Sequence, residues 1–159
     1  MKVLVVSDSH GRDGKLEEVL EKVKPIDMLV HCGDVEGSED YIEVIAECPV
    51  HIVAGNNDYF SDLNREEVFF IGTHKVLLTH GHYYYVSMST QRIREEALAR
   101  GCDVVLFGHT HKPVVETAKG VTVCNPGSIS YPRQEGRKSS FLILELDRFG
   151  ELHYTLNYC

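Results

Sequence analysis

Five short clusters of metal-ligand residues each follow an apolar run: Asp8-Ser9-His10, Gly33-Asp34, Gly55-Asn56-Asn57-Asp58, Thr79-His80-Gly81-His82 and Gly108-His109-Thr110-His111. Imidazole suits Mn, Fe, Ni and Zn, while carboxylate and amide oxygens favour harder ions. A mixed His, Asp and Asn set without cysteine points to Mn²⁺, Fe²⁺ or Ni²⁺ more than to a structural zinc, which prefers thiolates. Singly, an Asp-x-His or a Gly-Asp is common in turns, whereas Gly-His-x-His and Gly-Asn-Asn-Asp carry more information. Their joint occurrence, in order and each after an apolar run, predicts a hydrolase built on two metal ions. Gly33, Gly55 and Gly108 are expected to let the chain turn sharply and to let backbone approach the metals.

Such clusters meet only if the elements before them end on a common edge, as the carboxyl ends of neighbouring strands do in α/β sheets. Val3-Leu4-Val5-Val6 is a continuous apolar run, as for a strand buried on both faces. Leu16, Val19, Leu20 and Val23 have the spacing of one helical face, predicting a helix from near Asp13 that Pro25 ends. Met28-Leu29-Val30 is the next strand. Ser38 is the expected N-cap of a helix through Tyr41, Ile42, Ile45 and Ala46, closed by Pro49. Val50 to Val53 is a third strand, and this alternation implies a parallel sheet with right-handed crossovers.

The second half changes character. Val68 to Ile71, a turn at Gly72-Thr73 and Lys75 to Thr79 read as a hairpin. A helix is expected from Ser87 to Arg100, with Gly101 as its stop and Arg92, Arg94, Glu95 and Glu96 as a solvated face. Asp103 to Phe107 is another buried strand. Short strands follow at residues 114–116, 121–123, 141–146 and 153–156. The expected fold is α/β: two packed mixed β-sheets flanked by helices, as one domain over residues 1–159.

Composition narrows the function. The chain of 159 residues has a formal net charge of −8, which argues against bulk nucleic-acid binding, a mode that needs Lys and Arg to neutralise phosphates. No run of 18 apolar residues suggests a membrane span. The apolar run at the amino terminus is too short for a signal peptide and leads into Asp8. The five cysteines are odd in number and lack a C-x-x-C pair, so a reducing cytoplasm is expected rather than a disulfide framework.

With these residues in place, the sequence resembles the calcineurin-like metallophosphoesterases. Asp8-x-His10, Gly33-Asp34, Gly55-Asn56-x-Asp58, His80 within His-Gly-His, and Gly108-His109-x-His111 look like the five blocks of that family. The short length and Asn125-Pro126-Gly127-Ser128 after the last block resemble its small prokaryotic YfcE-like phosphodiesterase branch, which in turn resembles the metallophosphoesterase-like subunit of retromer. The resemblance runs from Met1 to about Leu146 and implies an αββα sandwich.

It further implies that Asp8, His10 and His111 hold one divalent ion and Asn56, His80 and His109 another, with Asp34 and a hydroxide bridging them. Mn²⁺ is the foremost expectation, with Ni²⁺, Fe²⁺ or Zn²⁺ as alternatives. Two divalent ions against Asp8, Asp34 and hydroxide leave one positive charge, which matches a phosphodiester monoanion. The hydroxide would attack phosphorus in line with the leaving oxygen.

The resemblance groups Asp34, Asn57, Asp58 and His82 as catalytic. Asn57 is a departure, because many members have His there, and an amide cannot protonate an alkoxide. His82 is the substitute acid or an orienting group, and Asp58 orients its neighbours. Arg133 is placed to meet a substrate phosphate. Asn125 and Ser128 are expected to form a turn, and His31 and His51 to be structural. The expected partner is a small or nucleotide-like phosphodiester, with homo-oligomerisation left open. A non-catalytic scaffold of the retromer-subunit type and a phosphomonoesterase are the alternatives.

Overall fold

The first strand, β1 (Lys2–Val6), sends alternate side chains into two different cores. Val3 and Val5 face one interior, while Leu4 and Val6 face another, and all four are buried. A strand packed on both faces needs apolar residues without alternation, and this one has them.

A computed structural model describes residues 1–159. After β1 the order is α1 (Gly14–Val23), β2 (Met28–His31), α2 (Glu39–Ala46), β3 (Val50–Ile52), β4 (Glu66–Ile71) and β5 (His74–Thr79). A single 3₁₀ turn (His82–Tyr84) precedes α3 (Gln91–Ala99), β6 (Val104–Leu106), β7 (Val114–Ala118), β8 (Val121–Asn125), β9 (Ser140–Leu146) and β10 (Leu152–Tyr158). One sheet has the order β10-β9-β1-β2-β3, and the other β4-β5-β6-β8-β7. In each, three adjacent strands run parallel, β1, β2 and the edge strand β3 in the first and the central β5, β6 and β8 in the second. Antiparallel strands complete both sheets.

The core between the sheets joins Val3, Val5 and Val30 to Val76, Leu78, Val104 and Leu106. The outer face of the first sheet buries Leu16, Val19 and Leu20 of α1 and Ile42 and Ala46 of α2. Ile93 and Ala97 of α3 pack on Leu77 and Val105 of the second. This is the expected αββα sandwich. Each fully buried Leu or Val contributes about 1.5–3 kcal/mol relative to exposure. No helix is long and apolar enough to cross a membrane, and all five cysteines are free.

Three local expectations are corrected. Ser38 occupies the N-cap position of α2, but its hydroxyl makes no capping bond, and Glu39 and Asp40 place negative charge in the first turn instead. The third helix begins at Gln91 rather than Ser87; residues 85–88 instead form a turn, with Tyr85 left-handed (φ 53°) and the Met88 N–H donating to Tyr85 O (2.9 Å). Arg94 is buried rather than solvated. Its guanidinium donates to the carbonyls of Ala118 (3.1 Å) and Val121 (2.5 Å) and to Glu116 (2.9 Å), clamping the β7–β8 hairpin onto α3. The hairpin leaves carbonyls beneath this helix face, and a long side chain reaches them while burying its stem.

His31 and His51 are structural, as expected. His51 stacks on Phe69 with ring centroids 4.0 Å apart and pairs with Glu67 at 2.7 Å. His31 is fully buried; its Nδ1 accepts from the Gly33 N–H (3.2 Å), so its Nε2–H donates to Ser9 Oγ (3.1 Å). Burial pushes its pKa down from 6.5 to about 4. Between those values the unfolded chain binds the proton and the folded chain does not, so stability falls as pH drops from 6.5 to 4 and no further below. The loss from this residue is about 3 kcal/mol. Urea unfolding of metal-free protein at pH 7 and pH 4.5 checks this: His31→Gln should show a weaker pH dependence than the wild type, and equal dependences would contradict it.

Candidate metal centre

Every predicted ligand cluster begins where a parallel strand ends. The turn after β1 carries Asp8 and His10, that after β2 carries Asp34, and that after β3 carries Asn56. His80 follows β5, and His109 and His111 follow β6. The clusters are therefore split between two sheets, three turns from one and two from the other, and they meet at the seam. The sequence indicated one shared edge, and the seam between two is what the fold supplies.

The turns hold unusual backbone. Asp8, His10, Asp34, His109 and His111 all have left-handed φ, between 50° and 69°. For residues with a Cβ this region is uncommon, costs free energy and concentrates where the surroundings enforce it. Here the enforcement is hydrogen bonding. Asp8 N–H donates to Gly33 O (3.0 Å), His10 N–H to Asp34 O (2.9 Å) and Gly108 N–H to His80 O (3.1 Å). Across the seam, His109 N–H donates to Asp8 Oδ2 (3.2 Å).

The side chains turn lone pairs toward one another. His80 Nδ1 lies 2.8 Å from Cys32 O and His111 Nδ1 2.7 Å from Tyr131 O. His10 Nδ1 lies 2.6 Å from Glu36 Oε1. Carbonyl and carboxylate oxygens only accept, so each Nδ1 carries the hydrogen and each Nε2 of a neutral ring presents its lone pair. Those Nε2 atoms face other acceptors. His111 Nε2 is 3.2 Å from His10 Nε2 and 3.1 Å from Asp8 Oδ1, and Asp8 Oδ1 is buried without a hydrogen-bond donor. On the other side, Asn56 Oδ1 is 3.0 Å from both His80 Nε2 and His109 Nδ1. Asp34 Oδ2 lies between the two groups, 3.5 Å from His80 Nε2 and 3.8 Å from His10 Nε2.

Acceptors crowded this closely require a proton or a cation among them. Asp8, His10 and His111 form one group able to hold a metal ion, and Asp8, Asp34 and His80 form an overlapping one. Burial opposes ionisation of Asp8, but a proton taken up by His111 or His80 would bond and attract it and Ser7 Oγ donates to its Oδ2 (2.6 Å), so the carboxyl is held below the ordinary range. Burial likewise opposes ionisation of Asp34, and His80 with the Asn57 amides outweighs it. Both carboxylates are thus ionised at neutral pH, the form that could hold a cation. The donor set of nitrogen and hard oxygen fits divalent transition ions.

Two glycines are needed for space, a closer constraint than sharp turning. A Cβ on Gly55 would stand 2.0 Å from Asp34 Oδ1, and one on Gly108 would stand 2.0 Å from Ser7 Oγ and 2.7 Å from Asp8 Oδ2. Each glycine makes room for a carboxylate.

The residues grouped as catalytic separate by position. Asn57 binds Asp34 twice, its backbone N–H to Oδ1 (2.9 Å) and its side-chain amide to Oδ2 (2.8 Å). The Asp58 carboxylate accepts from the N–H groups of Asp34 (2.8 Å), Glu36 (2.7 Å) and Gly55 (2.7 Å), tying the turns after β2 and β3 together. His82 packs beside His80 and His109, with ring centroids 5.4 and 5.9 Å away. Its Nδ1 is buried without a partner, and burial together with the neighbouring His80 and His109 lowers its pKa to about 4. A neutral ring near pH 7 has no spare proton to give.

Arg133 lines a cleft beside His10 and His111. Its backbone N–H donates to His111 O (3.0 Å). Asn125 and Ser128 form the expected turn and also brace the ligands: Asn125 Nδ2 donates to Gly108 O (2.8 Å), and Ser128 Oγ to Asp8 O (2.8 Å). Ser130 Oγ adds bonds to the Asp8 and Ser9 carbonyls. This brace, the carbonyls of Cys32 and Tyr131, and Arg137 in the same cleft were not singled out from the sequence. Nothing in the local pattern marks a carbonyl as the partner of a distant imidazole. His74 and His153 lie elsewhere, paired with Asp103 and Asp147.

Against known proteins, residues 1–148 match the calcineurin-like phosphoesterase superfamily domain. The chain is 36% identical over 148 residues to YsnB, a probable metallophosphoesterase of Bacillus subtilis, covering 92% of this chain and 85% of that one. It is 32% identical over 146 residues to a phosphodiesterase of Methanocaldococcus jannaschii, covering 80% and 83% respectively. Among solved structures, the zinc complex of Vps29 from Entamoeba histolytica superimposes with a TM-score of 0.77 at 25% identity, over 99% of both chains.

Replacing Asp58 leaves several buried N–H groups without their acceptor, at about 1–3 kcal/mol each. Asp58→Asn should therefore lower the melting temperature and weaken divalent-ion binding, measured by calorimetry, by about tenfold or more. Unchanged metal affinity in a folded Asp58→Asn protein would show that the turn holds its shape without this carboxylate.

Proposed function

Because the chain belongs to the calcineurin-like phosphoesterase superfamily, we propose that it is a metal-dependent phosphodiesterase acting on a small or nucleotide-like diester. The observation that carries this reading is the meeting of Asp8, His10, Asp34, Asn56, His80, His109 and His111 at one seam, with acceptors facing acceptors among His10, His80, His111, Asp8 and Asn56. Asp8, His10 and His111 would hold one ion and Asn56, His80 and His109 a second, with Asp34 shared. Mn²⁺ is the preferred assignment, and Ni²⁺, Fe²⁺ or Zn²⁺ fit the same donors. When bound, two such ions supply a nucleophile at neutral pH and positive charge for the attacking and leaving oxygens.

The protein's own residues then position and select. Asn57 fixes Asp34 through both carboxylate oxygens. Asp58 sets the spacing of two ligand turns. Arg133, anchored by its backbone to the His111 turn, is placed to offer a guanidinium fork to the phosphate. Neither Asn57 nor a neutral His82 supplies a proton to the leaving oxygen, so turnover should depend on how well that oxygen leaves unaided.

Likeness to Vps29 favours a second reading, a non-catalytic scaffold that binds metal and protein partners. The full ligand set in this chain favours catalysis. Metal-stripped protein should hydrolyse neither bis(p-nitrophenyl) phosphate nor p-nitrophenyl phosphate. Adding Mn²⁺ should restore the diester activity, with Asp34→Ala remaining at background. Metal binding without hydrolysis would turn the assignment to the scaffold, and faster monoester turnover would make the chain a phosphomonoesterase. Among diesters, rates should fall steeply as the leaving-group pKa rises; equal rates for aryl and alkyl leaving groups would reveal a proton donor.

A further inference from the structure

Beside the ligand cluster lies a cleft of about 660 Å³, with His10 and His111 lining it together with Tyr131, Arg133 and Arg137. A single phosphate held at the cluster would leave most of that volume to the remainder of the substrate. The cleft is cationic although the chain as a whole carries −8. Two guanidiniums line it, and a third, Arg12, lies 4.7 Å over the Tyr131 ring. Glu36 is the one acid in the lining, and its Oε1 is already engaged by His10 Nδ1 at 2.6 Å.

The two lining arginines stand differently. Arg133 lines this cleft and also the neighbouring one beside His109 and Lys112, so it borders both sides of the centre and suits the reacting phosphate. Arg137 lines the cleft beside His10 and His111 but not the one beside His109. It sits on a turn closed by its own N–H to Gln134 O (3.0 Å) and by the Gln134 amide to Lys138 O. Its backbone is left-handed (φ 44°), directly after Gly136 (φ 78°). The left-handed backbone carries a conformational cost and sets where the Arg137 side chain leaves the turn.

We infer that Arg137 recognises a second anionic group, so that the cleft selects phosphodiesters in which one arm carries a further phosphate. The chemistry is that of a planar guanidinium, which pairs with phosphate oxygens through two parallel N–H bonds. This rests on the phosphodiesterase reading and names the substrate class of that same site. A nucleoside with a diester on one hydroxyl and a monophosphate on the other meets the description.

The test compares the p-nitrophenyl ester of thymidine 5′-phosphate with the same compound bearing a 3′-phosphate, using Mn²⁺-loaded protein. The 3′-phosphate should raise kcat/KM by about tenfold, chiefly through KM. In Arg137→Ala the ratio between the two substrates should approach one, and Arg137→Lys should retain part of it. A ratio near one in the wild type, or a ratio that survives Arg137→Ala, overturns the inference while leaving the phosphodiesterase intact. If neither compound is hydrolysed, the phosphodiesterase reading fails and binding decides the cleft's role. Titration calorimetry should then find thymidine 3′,5′-bisphosphate about tenfold tighter than thymidine 5′-monophosphate, with the gap closed in Arg137→Ala; equal affinities would refute it.

Discussion

Lone pair facing lone pair is the constraint on which the rest of this structure depends. Nε2 atoms of His10, His80 and His111 and the oxygens of Asp8 and Asn56 stand 3.0–3.2 Å apart at the seam, an arrangement that repels itself unless positive charge enters. Folding must hold it while that charge is absent, and the hydrophobic layers supply the means. Cores on both faces of β1, and on both faces of β5 and β6, fix the strand ends whose turns carry the ligands.

The turns themselves are rigidified by groups that contact no ion in the proposed scheme. Asp58 gathers backbone amides from two turns, Ser128 and Ser130 bind the Asp8 carbonyl, and carbonyls of Cys32 and Tyr131 orient two imidazoles. Left-handed backbone at five of the seven ligand positions indicates the cost of aiming these side chains inward. Strain of this kind persists where many weak bonds converge on it, and the density of hydrogen bonds around residues 8–10, 33–36 and 125–133 is that convergence.

Much of this is legible in the amino-acid sequence. The unbroken run Val3–Val6 announced two-sided burial, and the helical spacing of Leu16, Val19 and Leu20 announced the face that covers it. Short ligand motifs after apolar runs located the centre, since strand ends are positions a sequence reveals. Contacts between remote segments were not legible. That Asn125 would brace Gly108, or that Arg94 would be drawn under α3 by hairpin carbonyls, depends on tertiary geometry with no local signature. Gly55 and Gly108 were noticed as turn formers, but their closer role, clearing space for a carboxylate on another turn, also appears only when both turns are in place. Helix α3 starts later than its apolar spacing suggests because residues 85–88 close a turn, which no residue in that stretch marks in the sequence.

The centre draws three of its turns from one sheet and two from the other, with a backbone-to-carboxylate bond from His109 to Asp8 crossing the boundary. Elsewhere that boundary is mainly apolar packing, crossed by a few directional bonds such as His51 to Glu67 (2.7 Å) and His74 Nε2 to Gly150 O (2.8 Å). Ions seated at the seam would act as a pin set at one end of two stacked plates. The ligand end would be locked in register, while the opposite end is held by the packing of Leu146 at Gly72 and by the bond between His74 and Gly150 O. Binding ions would thus join the two layers as well as equip the site, so that the register of the sheets and the geometry of the centre would be set together.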